Sequence, residues 1–355
     1  MKSDISKFLA SSDISIVEAM QRIDENAEGI LFIVEDHKLI GSLTDGDLRR
    51  FIIKYGNLDS LIDGAINRSP KYVLDSEIEN ASKIMEQFHV YCVPVVDVNK
   101  QIIDIVFNDI HKERMTNSTA LKDIPIVIMA GGKGTRLYPF TKILPKPLIP
   151  IGDVPILERI INRYCSYGSN DFYLTVNYKK EMIKSYFTDL APTYDITYVE
   201  ESKPLGTAGS LRLIETKFES TIIVTNCDIL IEADYEKIIA YHRSSGNAMT
   251  IVSSLKNTVI PYGVLHSTEN GMITSMEEKP KLSCFINTGM YILEPQFIEL
   301  IPEDTFYHMP SLAEQLISSG EKVGMYPISE NSFLDMGEFE EMKKMEDRIN
   351  SGEIS

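Results

Sequence analysis

Positive charge is scarce in this chain. Its 355 residues carry 35 lysines and arginines against 52 aspartates and glutamates, a net charge of −17 and a pI near 4.9. That balance argues against nucleic acid or an anionic membrane as a partner, so any anionic ligand must be gripped by a local cluster of cations. Cysteine is rare too. Cys92, Cys165, Cys227 and Cys284 stand far apart, with no Cys-x-x-Cys and no paired Cys/His spacing. They give no support for a zinc site, fit a reducing compartment, and read as small buried apolar residues. No apolar run approaches membrane-spanning length, and Met1–Lys7 lacks the apolar stretch of a signal peptide, so a cytoplasmic protein is expected. Two phosphate-binding patterns are missing as well: the Walker spacing Gly-x-x-x-x-Gly-Lys-Ser/Thr and the dinucleotide fingerprint Gly-x-Gly-x-x-Gly.

What is present is a different phosphate loop. The apolar run Ile124-Pro125-Ile126-Val127-Ile128 reads as a buried parallel strand, and Gly131, Gly132 and Gly134 follow where its carboxyl end turns into a loop. Glycines there let backbone N–H groups approach anionic oxygens, while Arg136 and Lys146, the latter within Pro145-Lys146-Pro147, add the charge that amides lack.

Before this loop the chain repeats itself. At an offset of 62, Ala19 falls on Ala81, Ile23 on Met85, Val34 on Val96, Ile40 on Ile102, Asp47 on Asp109 and Leu48 on Ile110. Each copy reads as helix, strand, turn, strand, helix; in the first these are 16–23, 29–34, the turn near 36–38, 39–44 and 45–54. A unit of about 60 residues buries little surface alone, so the copies are expected to pack on each other. The polar stretch from Glu113 reads as a linker. The resulting division is 1–59 and 60–115 for the repeats, 116–123 for the linker and 124–350 for the rest.

From 124 onward short apolar strands alternate with helical stretches, which argues for a mostly parallel sheet with ligands at the strands' carboxyl ends. Asp228 closes the strand 221–224, and Asp335 closes Phe333-Leu334. An acid in either place is a hard-cation ligand or a helix cap. A carboxylate such as Glu201 can accept two adjacent N–H donors, such as the N1–H and exocyclic amine of guanine, and Glu200 and Glu201 read equally as surface residues.

Joined in this order, Gly131-Gly132-Lys133-Gly134-Thr135-Arg136-Leu137, Pro139 and Pro145-Lys146-Pro147 resemble the signature of the sugar-phosphate nucleotidyltransferases. The resemblance implies an α/β, Rossmann-like domain with a mixed, mostly parallel sheet. It implies Arg136 and Lys146 as catalytic groups, and Gly131, Gly132, Gly134, Thr135, Glu201, Gly206 and Thr207 around the nucleotide. Asp228 and Asp335 would hold Mg²⁺. Gly263, Glu278, Lys279, Asn287 and Thr288 would take the sugar phosphate. The segment Leu205-Gly206-Thr207-Ala208-Gly209 resembles the guanylyl enzymes of that family, implying GTP and a sugar 1-phosphate as substrates. The repeat resembles a tandem CBS module, of βαβ type, in which Thr44 and Asp47, with Asp109 in the second copy, would hold an adenine nucleotide; a ligand-free scaffold for a homo-oligomer is the alternative. This order of domains is similar to the glucosamine-1-phosphate guanylyltransferases of the legionaminic acid pathway. Other members act on mannose or heptose phosphates, and an inactive, nucleotide-sensing relative would share the same order.

Overall fold

Short apolar runs in the first 108 positions, residues 30–34 and 92–96, form the centres of two small sheets of the same design. The computed structural model describes residues 5–26, 28–108 and 118–351. In the first sheet Leu9–Ala10 runs parallel to Ile30–Glu35, which pairs antiparallel with Lys38–Thr44. In the second Val73–Leu74 is parallel to Cys92–Val96, which pairs antiparallel with Ile102–Phe107. Both hairpins shift register at the same repeat position, between Ile33 and Val34 and between Val95 and Val96, so the duplication extends to a bulge. Phe32 and Leu39 share one buried cluster with Cys92, Val96 and Ile105, which is how two undersized copies make one core. Helix Ile16–Asn26 buries Ile16, Ala19, Met20 and Ile23, the stripe of an amphipathic helix.

The chain divides into two units. One holds residues 1–112, 254–286 and 327–330; the other holds 113–253, 287–326 and 331–355. Residues 254–286 and 327–330, which the sequence assigns to the stretch 124–350, thus group with the repeat. The contacts that bind them there include Lys281 Nζ to Gln21 Oε1 at 2.8 Å, Gln21 Nε2 to Asn257 Oδ1 at 3.0 Å and Arg49 Nε to Pro327 O at 2.8 Å.

The second unit is built on a sheet in the order Asp195–Glu200, Asp171–Val176, Ile126–Met129, Ile222–Asn226, Lys281–Leu293, Met249–Val259, Val323–Ile328; of the last three strands it contains only residues 287–293, 249–253 and 323–326. The first four strands are mutually parallel and Lys281–Leu293 is antiparallel to Ile222–Asn226. One face, including Val127, Tyr173, Val224 and Tyr291, packs on helix Met309–Ser318 through Met309, Leu312 and Leu316. The described part of the linker is not loose, for Leu121 is fully buried and donates its N–H to Tyr167 O at 2.9 Å. Among the described residues no helix is long and apolar enough to cross a membrane. Of the cysteines, Cys92 and Cys227 are buried as expected, Cys165 is half-buried, and Cys284 is exposed, on a strand that lies in the first unit at that point.

Candidate active site

The four parallel strands are in step. Met129 pairs with Thr175 on one side and Asn226 on the other, and Val176 pairs with Glu200. Their carboxyl ends therefore form one edge, from which Gly131, Asn177, Glu201 and Asp228 emerge together, where open α/β sheets place their crevice.

The loop after Met129 runs between two partners. At Gly131 an added Cβ would lie 2.7 Å from Glu201 Oε1, so glycine is what lets that carboxyl stand against the loop. At Gly134 the nearest side chains are those of Thr141 and Lys146, and Thr141 Oγ1 donates to Gly134 O at 2.8 Å. Glu201 thus marks one end of the loop and Lys146 the other. A cavity of about 380 Å³ lies along it, within the range of small-molecule sites. Its lining includes Gly131, Gly132, Gly134, Thr135, Arg136 and Lys146 from the loop and the segment behind it, and Asn226, Asp228 and Gly337 from beyond. Glu201, Gly206 and Thr207 complete the set with Thr175, Phe306 and His308.

Electrostatics separate the two adjacent glutamates. Glu200 is exposed and held by Lys180 and Lys184, which lower its pKa to about 2. Glu201 is buried, which pushes its carboxyl up, while N–H donation from Leu205 at 3.2 Å opposes that shift. Glu200 is the surface residue and Glu201 the one that faces the cavity.

Asp228 and Asp335 arrive from far apart in the chain. The short strands Ile229–Ile231 and Phe333–Asp335 pair antiparallel, with Ile229 opposite Asp335, and Met336 N donates to Asp228 O at 2.8 Å. Asp228 forms an ion pair with Lys146. Asp335 accepts the N–H of Gly337 at 2.7 Å, and its carboxyl is pushed up by burial first and by the charge of Asp228 second, with Lys146 and Arg136 pulling the other way. Neither acid caps a helix: the residue before helix Phe339–Asn350 is Glu338, and Asp228 leads into a strand. Among the described residues no cluster of three or more His, Cys, Asp or Glu is set to hold a metal. Two carboxyls at the same end of this strand pair, one of them pushed up by burial and then by the charge of the other, fit a magnesium-type ion. Such an ion takes one or two protein carboxylates and completes its shell with phosphate and water.

The remaining expected residues are not gathered here. Gly263, Glu278 and Lys279 belong to the other unit, on the antiparallel ribbon Gly263–Ser267 with Ile273–Glu278, where Gly263 faces Glu278; Lys279 follows with its side chain exposed. Asn287 and Thr288 lie in the unit of the cavity but outside its lining. Asn287 donates to Tyr291 Oη at 2.6 Å, and the buried Thr288 hydroxyl donates to Val252 O at 2.7 Å. In the repeat, Thr44 and Asp47 form a capping box: Asp47 N donates to Thr44 Oγ1 at 3.2 Å and Thr44 N to Asp47 Oδ2 at 2.9 Å, closing the start of helix Asp45–Tyr55. Asp109 lies outside the described residues. Thr175, Asn226, Phe306 and His308 were not expected at the site. The first two are strand ends that the strand-end rule could have found; the aromatic pair carries no sequence signal.

A profile of the nucleotidyl transferase family matches residues 126–351. The chain belongs to that family. A CBS domain profile matches residues 4–54. Among curated relatives, a UTP–glucose-1-phosphate uridylyltransferase from Synechocystis is 35% identical over 214 residues, 55% of this chain and 55% of that protein. A mannose-1-phosphate guanyltransferase from Saccharomyces cerevisiae is 37% identical over 185 residues, 49% of this chain and 51% of that protein. The chain spans about half the length of these curated relatives. The solved structure of HddC from Yersinia pseudotuberculosis aligns with a TM-score of 0.50 and 27% identity, covering 64% of this chain and 99% of HddC. The fold expected from the sequence, a parallel-rich α/β nucleotidyl transferase sheet with an N-terminal CBS domain, is the fold observed.

Proposed function

We propose that the protein is a metal-dependent sugar-1-phosphate nucleotidyltransferase that joins GTP and glucosamine 1-phosphate into a GDP-sugar and pyrophosphate. The observation that carries this reading is the meeting of the glycine loop, Arg136, Lys146, Asp228 and Glu201 around one cavity. Its nucleophile, a sugar-phosphate oxygen, is already ionised at neutral pH, so no general base is required. Catalysis is alignment and neutralisation of charge around the α-phosphorus. Arg136 and the loop amides hold the departing pyrophosphate, and Lys146 leaves its pairing with Asp228 to hold the α-phosphate. Asp228 and Asp335 would hold a divalent cation such as Mg²⁺, which would supply positive charge against that of the phosphates. Asn287 and Thr288, in the unit that holds the cavity, are assigned to the sugar-phosphate side.

Guanine is favoured by Glu201, whose buried carboxyl beside Gly131 is placed at the end of the loop away from Lys146, and by the guanyltransferase names among the relatives. Glucosamine follows from the domain order alone, shared with the guanylyltransferases of the legionaminic acid pathway. The paired CBS-type copies carry a regulatory adenine nucleotide at Thr44 and Asp47 and join protomers into a homo-oligomer. The test is a matrix of five nucleoside triphosphates against several sugar 1-phosphates, scored by product mass. GTP with glucosamine 1-phosphate is expected to lead; GTP with mannose or heptose phosphate would correct the sugar only, and equal use of UTP or dTTP would overturn the guanine assignment.

A further inference from the structure

The loop 303–308 is docked tightly against the segment that carries Glu201, Gly206 and Thr207, although a hundred residues separate them. Tyr307 N donates to Leu205 O at 2.8 Å, and Ala208 N and Gly209 N both donate to Tyr307 O, at 2.9 and 3.1 Å. Lys203 pairs with Asp304 at 2.7 Å and Arg212 with Glu303 at 2.6 Å. Gly206, at φ +79°, leaves room for this docking, because a Cβ there would lie 2.5 Å from Tyr307 O. What the docked loop presents to the cavity is aromatic. Phe306 and His308 both line it, their rings edge to face with centroids 4.7 Å apart, yet Phe306 remains 59% exposed. An apolar ring fixed at the edge of the cavity, met by His308 only at its edge and otherwise left open to water, offers a face on which a flat ligand can pack. His308 is oriented as well: Thr207 N donates to its Nδ1 at 3.3 Å, so in the neutral ring the proton sits on Nε2.

Resting on the nucleotide-binding reading above, we infer that Phe306 and His308 form the wall against which the purine base of the nucleotide packs, with His308 Nε2–H as a donor to a purine acceptor. Their place at the Glu201–Thr207 end of the cavity is the end away from Lys146, where the base lies if the triphosphate follows the glycine loop. Stacking on an aromatic ring is sequence-tolerant, so Phe306 contributes affinity and Glu201 the choice of base.

Calorimetric titration of the full-length wild type, Phe306→Ala and Phe306→Tyr with GTP and with inorganic tripolyphosphate tests this. Phe306→Ala should weaken GTP about tenfold or more, leave tripolyphosphate within twofold, and raise KM for GTP with little change in kcat. Phe306→Tyr should restore GTP binding. An unchanged GTP affinity in Phe306→Ala, or an equal loss for tripolyphosphate, overturns the wall while leaving the nucleotidyltransferase reading in place. A wild type that binds no nucleoside triphosphate overturns that reading, and the wall with it.

Discussion

Gly206→Ala should detach the loop 303–308 from the base-side segment, and the structure sets the size of the effect. The backbone at 206 has φ +79°, a region that costs a residue with a Cβ about 1–2 kcal/mol. The new Cβ would sit 2.5 Å from Tyr307 O and 3.0 Å from Tyr307 C, about 1 Å inside normal contact. Because the obstacle is backbone, one of the two segments must move, an overpacking cost of about 1–3 kcal/mol. Gly246 is the control: its φ is +60° with nothing within 4 Å of an added Cβ, so Gly246→Ala carries the conformational cost alone. Hydrogen exchange separates the two, since the Ala208 and Gly209 amides are held by Tyr307 O. In Gly206→Ala those amides should exchange about ten- to a hundredfold faster, at a factor of ten per 1.4 kcal/mol. In Gly246→Ala they should not change. Equal exchange at 208 and 209 in both variants would refute the docking argument.

Asp228→Asn and Asp335→Asn should each lower kcat by at least about 10²-fold with the fold intact, because each takes a carboxylate from the proposed cation site, whose charge would be worth several kcal/mol to the transition state; steady-state kinetics over a range of Mg²⁺ checks this. Asp24 is half-buried and accepts the N–H of Glu330 at 3.3 Å, and desolvation raises its pKa from 3.8 to about 6. A raised carboxyl favours the fold fully below about pH 4 and loses that contribution as pH rises through 6, so Asp24→Asn should raise stability by about 1–2 kcal/mol at pH 7.5, after discount for partial exposure, and not at pH 4. Denaturant titration at both pH values shows the difference, and an equal gain at both would remove Asp24 as its source. Asp47→Ala should cost about 1 kcal/mol by opening the capping box. It should also abolish a melting shift of roughly 5 °C with saturating adenine nucleotide; if no adenine nucleotide at millimolar concentration moves the wild-type melt, the module is a scaffold.

The regular elements were legible because their periodicity is local. The helix expected over 45–54 is observed at Asp45–Tyr55, starting where the sequence places it. The glycine loop was legible because a strand end, glycines and cations sit within a few residues. Thr44 and Asp47 carry a Thr-x-x-Asp spacing that serves a nucleotide contact and a capping box alike; the capping box is seen only in the hydrogen bonds. Glu200 and Glu201 are neighbours with opposite environments, separated by which side of a strand end each leaves. Phe306 and His308 were invisible because the contact of His308 with Thr207, which brings the pair to the cavity, depends on a docking between segments 100 residues apart. The grouping of 254–286 with the repeat was hidden for the same reason, since Gln21 and Lys281 share no local pattern.

The central claim is that the cavity from Glu201 to Lys146 transfers a nucleotidyl group to a sugar phosphate. Pyrophosphate release from GTP, followed with and without glucosamine 1-phosphate and with and without Mg²⁺, tests it most directly. The account predicts release that requires both additions, matches the GDP-sugar formed mole for mole, and falls sharply in Arg136→Ala. Binding of GTP with no release under any of these conditions, or release that ignores the sugar phosphate, would contradict it.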